Sequence, residues 1–325
     1  MGSTSVASRD PWHRNRLIRD GILRAIQERM AVDESVYMLG EGAGMKTHFD
    51  APEIERLYPH RVITLPISED ANTNFAVGLA LQGCLPIVDV ISSDFLYRTM
   101  DSICNTVAKV NYVHDEPKTI IIRAEFMTGG PTSGQRIESL FAHIPGLRVV
   151  VPSNPRDAYS LMVHSLNYKG ATVFFEDRMI EDATTRQQDR LDGSSADFRY
   201  SMLPHESFEP ILTVVSYGIS LRHVLPFYNE TPIDLFDLAV LWPLDVDSVV
   251  RSVIRTGNLL IVEPDVLFGG IGAELAAQVI ERVPCRVRRL GAPRTTIPAC
   301  RDLHERMLPS LEAVKKVATE LLVLR

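Results

Sequence analysis

Residues 62–91 read VITLPISEDANTNFAVGLALQGCLPIVDVI, and this stretch sets the pattern for most of the chain. The β-branched run Val62–Thr64 and the apolar run Pro86–Ile91 predict two strands, and Asn72–Leu81 between them predicts a helix. A strand, a helix and a second strand in this order predict a βαβ unit, in which the two strands run parallel.

The same alternation continues on both sides of this unit. Before and after it, the sequence predicts strands at Val36–Leu39, Lys118–Arg123, Arg148–Val151 and Thr172–Phe175 and helices at Phe95–Val113 and Pro155–Leu166. Further along, it predicts strands at Leu212–Ser216, Ile233–Asp237, Leu259–Glu263 and Cys285–Leu290 and helices near Leu221–Tyr228, Val246–Thr256 and Ile271–Arg282. Such alternation indicates an α/β fold with mostly parallel sheets covered on both faces.

A polar segment interrupts the alternation. Residues 180–206 are polar, have an Asp-Gly-Ser-Ser core and show no period, which predicts a linker or a long surface loop. The sequence therefore predicts two doubly wound α/β domains, over residues 1–185 and 207–325, joined by a linker over residues 186–206.

Composition excludes several classes of function. The chain has 325 residues and a net charge of −7, and its arginines are spread out, so nucleic acid is not an expected partner. No apolar run reaches the length of a membrane span or a signal peptide, which predicts a cytoplasmic protein without membrane contact. The four cysteines lack metal or redox spacing and are interpreted as small buried apolar residues. No metal site built by this chain is predicted.

Loops that follow strands are the places to look for chemistry, because ligands of open α/β sheets bind beyond the carboxyl ends of the strands. The loop after Thr64 leads to Ser68 and Glu69. One interpretation is purely structural: Ser68 caps the next helix and Glu69 lies in its first turn, where a carboxylate suits the helix dipole. The other is an acid or base at the mouth of a crevice, with a proton held near neutral pH by partial burial.

Three further loops leave two interpretations each. After the strand Pro86–Ile91, Phe95 is either a core residue behind a helix cap or a ring that stacks on a flat heterocycle. The glycine-rich segment Met127–Gln135 is either a surface turn or a substrate loop. Phe268–Gly272 lacks the dinucleotide-binding spacing, and its glycines are better explained by a tight entry into the following helix.

The motif Pro66–Glu69 resembles that of the β-subunits of the decarboxylating (E1) component of 2-oxo acid dehydrogenases, in the transketolase superfamily. The resemblance is collinear over nearly the whole chain. It includes VYMLGEGAG from Val36, RVITLPISEDANTNFAVGLALQGCLPIVDV from Arg61, DSICNTVAK at 101–109, HIPGLRVVV at 143–151, VVSYG at 214–218, WPLDVDSV at 242–249, IVEPDVLFGGIGAEL at 261–275 and IPACRDLHERMLPS at 297–310.

This resemblance implies a pyrimidine-binding transketolase-like domain followed by a transketolase C-terminal-like domain, with thiamine diphosphate bound between subunits. Glu69 matches the family glutamate that hydrogen-bonds the aminopyrimidine ring of the cofactor, and Phe95 matches the aromatic residue that packs against that ring. Ile67, in the same motif as Glu69, is assigned to the cofactor site with them. The resemblance gives Glu69 the central catalytic role, a proton exchange with the ring that prepares the cofactor for attack on a carbonyl.

The magnesium ligands of the family are missing from this sequence. Thiamine diphosphate enzymes usually hold Mg²⁺ through a Gly-Asp-Gly motif and a later asparagine, whereas Gly-Asp-Gly does not occur in this sequence, and the Asp-Gly at 192–193 follows a leucine. The resemblance therefore implies an enzyme subunit that is active only with an α-type partner, which supplies the Mg²⁺ ligands, in a heterotetramer.

One loop departs from the family pattern. Where the β-subunits carry a His-Ser-Gln-like segment, residues 130–138 read GPTSGQRIE and look closer to the loop of transketolases, with Ser133 in place of their histidine. Ser133, Gln135 and His143 are the candidates for substrate contact.

The sequence is compatible with three functions. The first is cleavage of a 2-oxo acid with transfer of the acyl fragment to an acceptor such as a lipoyl carrier. The second is a split transketolase that moves a two-carbon ketol unit from a ketose phosphate. The third is a non-catalytic scaffold subunit, against which the presence of Glu69 and Phe95 argues.

Overall fold

The computed structural model describes residues 16–41, 51–127, 134–178, 180, 193–194, 201–203 and 209–323. These residues form two largely parallel sheets with helices on their faces, which confirms the predicted α/β class. Within this part of the chain, no helix is both long enough and apolar enough to cross a membrane.

The first sheet has seven described strands. They are β1 (Val36–Gly40), β2 (Val62–Thr64), β3 (Leu85–Ser92), β4 (Ile120–Phe126), β5 (Leu147–Val150), β6 (Ala171–Asp177) and β11 (Val240–Trp242). Their order is β11-β5-β6-β4-β3-β1-β2, and all pair in parallel except β11, which runs antiparallel to β5. The seven residues of β4 are all buried, as expected for a central strand covered on both faces.

The second sheet has six described strands. They are β7 (Gly193–Ser194), β8 (Ser201–Leu203), β9 (Leu212–Ser216), β10 (Ile233–Asp237), β12 (Asn258–Val266) and β13 (Arg286–Ala292). Their order is β13-β12-β9-β10-β8-β7; the pairs β10–β8 and β8–β7 are antiparallel, and the other pairs are parallel.

Eleven α-helices lie in the described part of the chain. They are α1 (Arg16–Val32), α2 (Pro52–Leu57), α3 (Glu69–Leu81), α4 (Val110–Val113), α5 (Glu138–Ala142), α6 (Pro155–Asn167), α7 (Leu221–Glu230), α8 (Val246–Thr256), α9 (Ile271–Arg282), α10 (Arg301–Glu305) and α11 (Leu311–Val323). Helices α1 and α6 pack on the outer face of the first sheet, and α7 and α11 pack on the outer face of the second. Between the sheets, one continuous core joins residues such as Ala76 and Phe141 to Val249 and Leu275.

Most predicted elements are present, with shifts at their ends, but the helix predicted over Phe95–Val113 is wrong. That stretch divides into a 3₁₀-helix (Ser93–Tyr97), a π-helix (Ser102–Val107) and the short α4. Polar side chains attach the segment to α3: the hydroxyls of Thr99 and Thr73 hydrogen-bond at 2.9 Å, and Ser102 donates to Asp70. These side-chain contacts hold the segment in 3₁₀ and π turns and prevent one continuous α-helix.

Two other expectations need correction. The polar segment predicted as a linker contributes β8, which pairs with β10 in register Leu235 to Leu203, so part of it belongs to the second sheet. The free edge of β10 gives that segment hydrogen-bond partners that its composition does not reveal. The cysteines are all unpaired, but none is fully buried, and Cys300 is exposed.

Candidate active site

The residues singled out from the first two loops meet at the carboxyl edge of the first sheet. Glu69 begins α3, directly after the loop that follows β2, and Phe95 lies in the 3₁₀-helix that follows β3. The loop after β1 joins them, because Glu41 Oε1 accepts a hydrogen bond from the backbone N–H of Ser68 at 2.9 Å. The position is the one where open α/β sheets bind ligands.

Glu69 is held as a buried carboxylate with one oxygen engaged. Its side chain is 6% exposed, and its Oε2 accepts from Nε of Arg98 at 3.2 Å. Its Oε1 makes no hydrogen bond to any residue that the structure describes. Ser68 stands at the N-cap of α3, but its hydroxyl makes no capping hydrogen bond, so the predicted side-chain cap is absent.

A second carboxylate accompanies Glu69. Burial raises the pKa of Glu41, and the nearby charge of Glu69 raises it further, while the Ser68 N–H and the guanidinium of Arg98 oppose the rise. The edge of the sheet therefore carries two carboxylates and a guanidinium, an arrangement that can hold and exchange a proton.

Three apolar or aromatic side chains on the same two segments as Glu69 and Arg98 are exposed. Phe95 is 37% exposed, Ile67 is 83% exposed and Tyr97 is 50% exposed. Phe95 is thus not the core residue of the structural interpretation. An exposed ring on the segment whose Arg98 contacts a buried carboxylate fits a flat heterocycle that carries a ring nitrogen, as the aminopyrimidine of thiamine diphosphate does.

The backbone at the ends of β1 and β3 fixes this geometry. Gly40 has φ +150°, and a Cβ there would lie 2.3 Å from the carbonyl oxygen of Asp89. Ile91 has φ 62°, and its N–H donates to Asp89 Oδ1 at 2.9 Å. The pairing of β3 with β4 shifts register between Asp89 and Ser92. This irregular strand end turns the chain into the 3₁₀-helix that carries Phe95, as bulges near functional sites often do.

The third loop comes close to the same helix. The backbone N–H of Gly134 donates to Asp94 Oδ2 at 3.0 Å, and the Gln135 carbonyl accepts from Ser93 Oγ at 3.5 Å. Gln135 therefore lies beside the segment of Phe95. Ser133 falls outside the described residues.

His143 lies elsewhere. It follows α5 and precedes β5 by four residues, on the side of the sheet where that strand begins, whereas Glu69 follows a strand. It lines a cavity of about 430 Å³ between α5, β11 and α9, together with Trp242 and Glu274. The structure therefore does not bring His143 to Glu69.

The fourth loop enters the same cavity and has a structural explanation. The N–H of Gly272 donates to Glu263 Oε2 at 2.9 Å, and a Cβ on Gly270 would lie 2.7 Å from that oxygen. The Glu263 carboxylate thus occupies the N-terminus of α9. Burial raises the pKa of Glu263 to about 7. This agrees with the interpretation of the glycines as a tight helix entry.

Sequence reasoning missed Glu41 and Arg98 as neighbours of Glu69. Arg98 follows Phe95 by three residues, about one helical turn, and that spacing is the signal that could have found it. Over the described ranges, no group of three or more His, Cys, Asp or Glu side chains is arranged to hold a metal ion.

Comparison with known protein families identifies both parts of the chain. Residues 16–180 match the pyrimidine-binding domain of transketolase, and residues 205–314 match the transketolase C-terminal domain. A solved structure described as a split gene transketolase, inactive beta4 tetramer, superposes with a TM-score of 0.76 over 94% of this chain and 98% of its own, at 18% identity. That likeness supports the fold.

Several curated relatives share most of the chain. The pyruvate dehydrogenase E1 component subunit beta of Rickettsia bellii is 28% identical over 92% of this chain and 98% of its own length. The 2-oxoisovalerate dehydrogenase subunit beta of Bacillus subtilis is 29% identical, with coverage of 86% and 89%. The mitochondrial 2-oxoisovalerate dehydrogenase subunit beta 2 of Arabidopsis thaliana is 31% identical, with coverage of 80% and 76%. The chain therefore belongs to the family of β-subunits of the thiamine diphosphate-dependent E1 components of 2-oxo acid dehydrogenases, within the transketolase superfamily.

Proposed function

We propose that this chain is the β-type subunit of an enzyme that decarboxylates a 2-oxo acid and passes the acyl fragment to an acceptor such as a lipoyl carrier. The observation that carries the proposal is the buried Glu69 carboxylate, whose Oε2 accepts from Arg98 on the segment that also carries the exposed ring of Phe95. Family membership favours this function over a split transketolase and over a scaffold subunit.

Each residue of the site has a role in this proposal. Glu69 exchanges a proton with the ring nitrogen of the cofactor through Oε1, because its other oxygen is occupied by Arg98. Phe95 and Ile67 offer apolar surface that covers the ring and keeps water from it. Thiamine diphosphate, when bound, supplies the carbon nucleophile and the electron sink for decarboxylation. Gln135 orients a substrate oxygen through neutral hydrogen bonds of its side-chain amide, a role supported by the contact of its carbonyl with Ser93 in the Phe95 segment.

The α-type partner, the heterotetramer and Mg²⁺ are part of the proposal. The sequence lacks the Gly-Asp-Gly motif that usually provides the Mg²⁺ ligands, so we assign them to the partner chain. The exposed side chains of Ile67, Phe95 and Tyr97 give the partner an apolar surface to cover. We also propose a cytoplasmic location, which the four unpaired cysteines support.

The proposal is tested by product analysis on the assembled enzyme. The chain is co-purified with its α-type partner and supplied with thiamine diphosphate and Mg²⁺. Pyruvate, branched 2-oxo acids and ketose phosphates are then compared as donors, with a lipoyl domain or an aldose phosphate as acceptor. We expect CO₂ release from a 2-oxo acid and acylation of the lipoyl domain. Ketol transfer without CO₂ release would identify a split transketolase, and no turnover of any donor would indicate a scaffold subunit.

A further inference from the structure

Arg98 is attached to the site by one contact. Its Nε donates to Glu69 Oε2 at 3.2 Å, which is its only side-chain hydrogen bond within the described part of the chain. The guanidinium side chain is 73% exposed, whereas the Glu69 side chain is 6% exposed. An exposed arginine thus reaches in to a buried carboxylate from the segment that also carries Phe95.

A carboxylate held at one oxygen has a defined orientation. Hydrogen bonds to a carboxylate lie near its plane, so the contact of Nε with Oε2 limits rotation of the group and leaves Oε1 facing away from Arg98. We propose that Arg98 is a positioning residue for Glu69, which holds the carboxylate so that Oε1 is presented to the ring nitrogen of the cofactor. This inference rests on the proposed function, because it assumes that Glu69 meets that nitrogen.

Arg98 also has an electrostatic effect on the acidic residues around Glu69. Glu41 faces Glu69 from the end of β1, and Asp70 follows it on α3, where Asp70 is engaged by the hydroxyl of Ser102. Arg98 places a positive charge beside this acidic group, and it lowers the pKa of Glu41 against the effect of burial. Without Arg98, the buried Glu69 carboxylate and the half-buried Glu41 carboxylate repel each other across the site, and the orientation of Glu69 is less well fixed.

Arg98→Gln in the enzyme assembled with its partner is the direct test. Calorimetry of thiamine diphosphate binding over a range of pH gives a readout that does not depend on turnover. We expect binding roughly three- to tenfold weaker, in the range of an exposed ion pair, and a binding profile displaced to higher pH, because a lost positive charge makes carboxylates ionise later. Hydrogen–deuterium exchange at C2 of the bound cofactor should slow by a similar factor.

Two further variants separate positioning from general effects. Arg98→Lys keeps the charge but not the Nε–H, so it should restore the pH profile and only part of the affinity. Arg24→Gln removes a guanidinium that is also 73% exposed and bonded to a glutamate, Glu28 at 2.8 Å, on the far helix α1. It should leave binding and exchange unchanged.

The outcomes distinguish this inference from the proposed function. If Arg98→Gln binds the cofactor as tightly as the wild type or more tightly, with the same pH profile, Arg98 does not position Glu69. If Glu69→Gln still abolishes C2 exchange in that case, the proposed function survives. If Glu69→Gln leaves exchange intact, the proposed function itself fails. Should Arg98→Gln not fold, Arg98→Lys alone decides: full affinity and unchanged exchange would refute positioning by Nε.

Discussion

The hydroxyl of Ser139 donates a hydrogen bond to Asp265 Oδ2 at 3.0 Å, across 126 residues of chain. Ser139 lies on α5 beside the first sheet, and Asp265 lies near the end of β12 in the second. Asp265 is 3% exposed, and burial raises its pKa, while the Ser139 hydroxyl opposes the rise. The two halves of the chain therefore meet through polar groups as well as through the shared apolar core.

Ser139→Ala should lower the free energy of unfolding of the full chain by about 1–3 kcal/mol, because it leaves a buried carboxylate oxygen without its donor. Urea unfolding at constant protein concentration measures this loss. Ser165→Ala is the matched control: that hydroxyl is buried but donates only to the Leu161 carbonyl in its own helix, at 2.7 Å. If both variants lose the same free energy of unfolding, the contact between the two halves stabilises the chain no more than a hydrogen bond within one helix does.

Glu138, the neighbour of Ser139, should make stability depend on pH. Burial raises the pKa of its carboxyl to about 8, Asp265 adds to the rise and Arg136 opposes it. The folded chain thus keeps this proton up to about pH 8, whereas the unfolded chain releases it near the ordinary value of 4.5. At a pH between these two pKa values, the folded state binds more protons than the unfolded state. The free energy of unfolding should therefore fall as the pH rises from about 5 to about 8.

Glu138→Gln should flatten that slope, since an amide has no proton to release. Relative to wild type, the variant should gain stability toward pH 8, by on the order of 2–4 kcal/mol. Urea unfolding at acidic, neutral and mildly alkaline pH measures the slopes. Glu281→Gln, an exposed acid on α9, should keep the wild-type slope. An unchanged slope in Glu138→Gln would assign the pH dependence to other buried acids such as Glu263.

Much of this architecture can be predicted from the sequence, because each strand or helix is indicated by a pattern within a short stretch of residues. The strand at Val62–Thr64 and the helix at Ile271–Arg282 were predicted with the bounds that the structure has, since apolar runs and helical periodicity are read within a few residues. Glu69 and Phe95 were found because the segments after two predicted strands lead to them, in the order of a family motif.

The features that sequence reasoning missed depend on contacts between distant residues. The hydrogen bond of Arg98 to Glu69 spans 29 residues, and the bond of Ser102 to Asp70 spans 32. Strand β11 joins the first sheet by pairing Val240 with Val150, which no local pattern predicts. Periodicity also does not distinguish an α-helix from the 3₁₀ and π turns between Phe95 and Val113, because the tertiary contacts decide among them.

Gly40→Ala should destabilise the chain by about 2–4 kcal/mol, because its φ of +150° disfavours a side chain and its Cβ would meet the Asp89 carbonyl oxygen at 2.3 Å. Gly78→Ala provides the contrast. That glycine lies within α3 with no atom within 4 Å of the added Cβ, so alanine should be neutral or stabilise by about 0.5–1 kcal/mol. Thermal unfolding of both variants measures the difference. A tolerant Gly40→Ala would show that β1 and β3 can separate without loss.

Glu69→Gln should preserve folding and assembly with the partner but slow hydrogen–deuterium exchange at C2 of bound thiamine diphosphate by roughly 10²–10⁴-fold, the usual contribution of a positioned acid–base group. The amide keeps the shape of the side chain and can still accept from Arg98, but it cannot exchange a proton with the ring nitrogen. Exchange is followed by quenched-flow NMR of the cofactor in the assembled enzyme. Asp70→Asn is the control, because Asp70 is the next acid on the same first turn, is exposed and accepts a hydrogen bond from the hydroxyl of Ser102. It should alter local stability and leave exchange within about twofold of wild type, since surface substitutions are usually small in effect. If both variants exchange at the wild-type rate, Glu69 is only a carboxylate at a helix start, and the proposed function fails.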